Sequence, residues 1–228
     1  MPQLKNLAGV LFYPVIGNHE VELFGAVRLT SSRRAIAKFK EDFVPKNGVR
    51  VAPLQQVVYS AEIAKLIHFV ALDNVSRRGE GFGAEQLAWL ADDLKGASAA
   101  NSVILIGMHK PLAKNPITTH AMDEDGPAAI QESDSALALF QQYGVAMIFV
   151  SHSHMYAAYN QGGIETRLTG GLGAPLVKGL AEADGGFHHF LLLDIAPGGD
   201  KAVLRVEAVR FRGPATRDDQ EESEEIEK

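Results

Sequence analysis

VILIGMHKP, Val103 to Pro111, is a short unbroken apolar run that ends abruptly in His, Lys and Pro. Its length suits a buried strand and falls far short of a membrane span. MIFVSHSHMY, Met147 to Tyr156, repeats the arrangement, and PVIGNHE, Pro14 to Glu20, also ends an apolar run in polar, chemically capable residues. Three apolar strands each delivering a histidine at the carboxyl end predict an α/β fold, because ligands of open α/β sheets bind beyond those ends. Segments far apart in sequence can then meet in one pocket.

Working outward, strands are expected at Leu11 to Ile16, Val57 to Ser60, Leu66 to Leu72, Ser102 to Met108 and Val145 to Val150. Helices are expected at Ser32 to Phe43, with Ile36, Phe39 and Phe43 on one face, and at Ala84 to Lys95, with a stripe of Leu87, Leu90, Ala91 and Leu94. A third is expected from Ser133, where Ser-Asp can cap, to Tyr143, with Gly144 ending it. Beyond Ser151 the chain turns β-rich. Met155 to Asn160 and Ile164 to Thr169 flank Gln161-Gly162-Gly163, and Phe187 to Ile195 and Ala202 to Phe211 flank a Pro-Gly-Gly turn. The irregular stretch Leu112 to Glu132 is long enough to border a binding site.

The 228 residues fit one domain, and 46% hydrophobic with 22% charged residues is ordinary globular usage. The net charge of -6 is concentrated: Arg217 to Lys228 carries seven acids and two bases, leaving the rest of the chain near neutral. We expect a domain over 1–213 and an acidic, disordered tail over 214–228. No basic patch supports nucleic-acid binding, and no membrane segment or signal peptide is visible, so a soluble chain is expected. With no cysteine, any metal must be held by His, Asp, Glu or Asn.

Imidazole with amide or carboxylate oxygen suits a borderline divalent ion such as Zn, Mn, Fe or Co. His152 and His154, two apart, either point the same way from an extended segment or straddle two ions from a loop. The remaining histidines read as structural: His68 in an alternating strand, and His188 and His189 in a strand with one exposed and one packed; His120, Arg77 and Arg78 occupy loops and read as solvated residues rather than as contacts to a substrate phosphate. Gly170-Gly171-Leu172-Gly173 reads as a tight turn or an anion-binding nest.

Taken in order, Gly17-Asn18-His19-Glu20, then His109 with Pro111, then His152-Ser153-His154 resembles the later motifs of the calcineurin-like metallophosphoesterases, which include purple acid phosphatases. FVALDNVSRRGEGFGAEQLAWLADDL from Phe69 and RLTGGLGAPL from Arg167 are similar as well, so the resemblance spans Val15 to Ile195. It implies a sandwich of two mixed β-sheets flanked by helices, with two divalent or trivalent ions (Zn, Mn or Fe) at the sheet edge. It further implies that Asn18, His109 and His152 bind one ion and His154 the other. His19 would be the general acid at the leaving-group oxygen, with Glu20 orienting it.

Two departures stand out. Ser151 takes the place of the usual Gly, and the Asp-x-His and Gly-Asp motifs expected ahead of Gly17 are missing; Gly199-Asp200 is at the wrong end. The resemblance is therefore read as the C-terminal portion of such an enzyme, N-terminally incomplete, with weak or partial metal occupancy. The expected function is metal-dependent hydrolysis of a small-molecule or macromolecular phosphate ester, mono- or diesterase. The alternatives are an inactive binding module of the same fold and a metal-dependent amide or lactam hydrolase.

Overall fold

The computed structural model describes residues 10–21, 31–77, 81–172, 174–198 and 201–211. A seven-stranded mixed sheet forms its centre. In chain order its strands are β1 (Val49–Val51), β2 (Tyr59–Ile63), β3 (Ile67–Ala71), β4 (Val103–Gly107), β5 (Met147–Val150), β6 (Tyr156–Gln161) and β7 (Ile164–Thr169). The spatial order is β1-β2-β3-β4-β5-β7-β6, with β3, β4, β5 and β7 parallel and the flanking pairs antiparallel. The carboxyl ends of the parallel strands therefore share one edge. β8 (His189–Gly198) and β9 (Lys201–Arg210) form a separate antiparallel ribbon, so the second sheet, among the described residues, is two-stranded rather than mixed. The acidic tail, Arg78, Gly173 and the turn at 199–200 lie outside the described residues.

Alternation within the strands builds two cores. Val70, Leu72, Ile104, Ile106, Ile148 and Val150 face α3 (Ala84–Ala99) and α4 (Pro127–Gln142), meeting Leu90, Leu94 and Phe140. The opposite face offers Tyr59, Phe69 and Ala71 to Ile36 and Phe39 of α2 (Ser31–Asp42) and to Tyr13, Val15 and Ile16. Burying a side chain of this size contributes about 1.5–3 kcal/mol.

Two expectations need correction. Leu11 to Ile16 is not a strand: it pairs with no strand among the described residues, Pro14 has no N–H to give a ladder, and Tyr59 Oη ties the segment down by donating to the Pro14 carbonyl at 2.7 Å. The third helix begins six residues before the Ser-Asp signal, with Gly126 as its cap and Pro127 in its first turn. Ser133 lies inside it, buried, and its hydroxyl accepts the Ala113 N–H at 2.9 Å. The β6–β7 hairpin over Gly162-Gly163 forms as expected, both glycines having positive φ.

Candidate active site

The edge where β3, β4 and β5 end is pinned by side chains that replace the ladder. Asp73, just beyond β3 and fully buried, accepts the N–H groups of Val57, Val75 and Ser76. Asn74 next to it exchanges two bonds with the Lys110 backbone, at 2.9 and 3.1 Å, tying the end of β3 to the turn after β4. Ser151 N–H donates to the His109 carbonyl at 2.8 Å, extending the β4–β5 ladder to the two histidine-bearing ends. His109 and His152 are thereby held side by side.

Asn18 comes from the short helix α1 (Asn18–Val21), after the unladdered segment. Its Oδ1 accepts from His109 Nε2 at 2.7 Å, and the same nitrogen lies 3.1 Å from His152 Nδ1. Two contacts centred on His109 Nε2 therefore bring polar groups from three distant stretches together. Gly17 packs tightly there: a Cβ would sit 2.9 Å from Glu20 Oε2 and 3.0 Å from His109 Nδ1, so both side chains would have to give way. Glu20 turns back to accept the Gly17 N–H at 2.9 Å, bracing the turn that carries Asn18 and His19. His152 has φ +69, a left-handed conformation that a non-glycine residue adopts at a cost of about 1–2 kcal/mol.

Burial, reinforced by neighbouring His152, His19 and Lys110, pushes His109 down to about 3. Burial, with His120 and Lys110 and against the opposing Glu124, pushes His152 down to about 4. Both rings are therefore neutral near pH 7, the state a metal ligand needs. Donors around a tetrahedral ion with bonds of about 2.0–2.1 Å lie roughly 3.3 Å apart, and His109 Nε2 stands within sub-ångström spreading of that spacing from both Asn18 Oδ1 and His152 Nδ1. His154 reaches the same pocket, and its Nδ1–H donates to the Pro175 carbonyl at 2.8 Å, leaving Nε2 with the lone pair.

Asn18, His152 and His154 open into a cavity of about 600 Å³. His19 and His120 join Asn18, His152 and His154 along its walls, and Ile117, Leu176, Val177 and Leu180 supply an apolar side. His120 is the residue that sequence reasoning left in a solvated loop. Its ring stacks on His152, centroids 4.0 Å apart, and its Nδ1 bonds Glu124 Oε1 at 2.5 Å. The usable signal was the four-residue spacing of His120 and Glu124 inside a long loop. Arg77 lines a different cavity, and His68, His188 and His189 do not line this one.

The 3-10 turn Met122–Asp125 that carries Glu124 is anchored by Lys110, whose buried Nζ meets both Asp125 oxygens at 2.6 and 2.8 Å. Gly170 and Gly171 behave as close-approach positions: a Cβ on Gly170 would lie 2.2 Å from the Ser153 carbonyl, between the two histidines of the loop.

A family model described as calcineurin-like phosphoesterase matches residues 1–156. No curated protein matches the sequence. Among solved structures, GAP50, the anchor in the inner membrane complex of Plasmodium, shares the fold at 11% identity and a TM-score of 0.50, over 89% of this chain and 69% of that one. A dimetal phosphatase from Danio rerio is 20% identical with a TM-score of 0.31, over 40% of this chain and 27% of that one. No helix among the described residues is long and apolar enough to cross a membrane.

Proposed function

The chain belongs to the calcineurin-like phosphoesterase family, and on that premise we propose that its pocket hydrolyses a phosphate ester with the help of a divalent cation. The observation that carries this reading is the convergence of Asn18 Oδ1, His109 Nε2 and His152 Nδ1 at the carboxyl edge of the sheet. These three would hold one ion, and His154, which lines the same cavity with Nδ1 engaged by Pro175, would offer Nε2 to another. A bound cation supplies charge for the phosphoryl oxygens and acidity for an attacking water.

The remaining steps belong to the chain's own residues. His19, on the cavity wall and outside the Asn18 set, would give a proton to the departing ester oxygen. His120, fixed through Nδ1 by Glu124, would offer its other nitrogen to a phosphate oxygen. Ile117, Leu176 and Val177 would pack against the organic group and exclude water from that side.

The test is a titration of the metal-free chain with manganese or zinc, alongside an assay of generic phosphate esters. His109→Ala weakens metal binding by roughly tenfold or more, while His19→Ala binds metal as the unaltered chain does and turns over more slowly, by roughly 10²–10⁴-fold. Equal metal affinity in His109→Ala and the unaltered chain removes the ligand assignment. A specific observation favours a second reading, a binding module of the same fold without turnover: the Asn18 set consists of neutral donors only. Metal bound with no hydrolysis of any ester would select it.

A further inference from the structure

The two nitrogens of His152 face different neighbours. Nδ1 looks toward His109, whereas Nε2 is buried, has no hydrogen-bond partner, and lies 4.0 Å from Glu124 Oε2. Donor atoms of His120, Glu124 and His152 all lie within 4.8 Å of one another, and among the described residues no other His, Asp or Glu trio comes so close. The neighbouring carboxylates are already engaged, Asp125 by Lys110 Nζ and Asp123 by the Lys114 N–H, which leaves Glu124 as the one turned to the imidazoles. We propose that His120, Glu124 and His152 Nε2 form a cation site of their own, on the far side of His152 from Asn18 and His109, selective for a zinc-like divalent ion. The donor set, two imidazoles and one carboxylate, is what such an ion takes. Glu124 supplies the negative charge absent from the Asn18 set. His120 must turn out of its stack on His152 and loosen its bond to Glu124 for both rings to point at one ion, and its half-exposed side chain has room for that turn.

A neutral imidazole has one lone pair, so His152 serves one of the two sites at a time and the ion has alternative seats. The inference does not depend on hydrolysis. The experiment is calorimetric titration of Zn²⁺ into the full chain carrying Asn18→Ala and His109→Ala, then into the same chain with Glu124→Gln or His120→Ala added. The double variant is expected to retain one Zn²⁺ per chain, and either added change to raise its Kd by about tenfold or more. Zn²⁺ should also move the ¹⁵N resonance of His152 Nε2, not Nδ1, in the double variant. Loss of all binding in the double variant, or a Kd indifferent to Glu124→Gln, overturns the proposal. Should the double variant fail to fold, Glu124→Gln in the unaltered chain decides: the Nε2 shift on adding Zn²⁺ must vanish, and its persistence overturns the site. Weakening by His109→Ala alone bears on the Asn18 set, whereas weakening that requires Glu124 bears on this one.

Discussion

His68 sits on the sheet edge opposite the pocket, bonded through Nδ1 to Glu62 and through Nε2 to the buried Asp93 at 2.7 Å. Burial alone would lower its pKa, but the hydrogen bonds and charges of Asp93 and Glu62 outweigh that and raise it. The folded chain therefore holds this proton more tightly than the unfolded one, whose histidine titrates near 6.5. The resulting stability is complete below that pH and fades as pH climbs through the raised folded value. Thermal melts should show a higher Tm at pH 6 than at pH 9, and His68→Gln should flatten the difference; a slope as steep in His68→Gln as in the unaltered chain would assign it to other groups. The same scale explains what sequence reading missed. His68 was legible as structural from strand alternation alone, whereas the stack that brings His120 into the pocket is on a residue 32 positions away.

Between elements, the decisive fastening is the Lys110–Asp125 pair, which locks the turn after β4 to the 3-10 turn bearing Glu124. Both side chains are largely buried, 11% and 18% exposed, so removing one partner strands the other charge away from water. Asp125→Ala should cost about 3–5 kcal/mol in urea unfolding, and the double change Lys110→Met with Asp125→Leu much less. A loss below about 1 kcal/mol for Asp125→Ala would place the pair among exposed ones. The elements themselves were largely legible: apolar runs marked β3, β4 and β5, the Gln161-Gly162-Gly163 turn marked β6 and β7, and the stripe of leucines marked α3. The start of α4 was not, because Ser133-Asp134 carries a cap signal that tertiary packing against Ala113 overrides. Leu11 to Ile16 failed as a strand for want of a partner, which no local pattern reveals.

At the scale of the whole molecule, the candidate site joins parts of unequal firmness. His109 and His152 rest on a laddered sheet sandwiched between two cores, but Asn18 hangs from a segment whose hold is the Tyr59 bond and the packing of Tyr13, Val15 and Ile16. Amide hydrogen exchange should therefore be faster over residues 11–18 than in β4 and β5, and zinc should slow it there most. Uniform protection, or zinc protection confined to the sheet, would dissociate Asn18 from the ion. The left-handed backbone at His152 carries the longest shadow. Glycine at position 152 would relax the main chain and remove the imidazole in one step. The fold thus carries a left-handed main chain at the residue whose ring lies between His109 and Glu124.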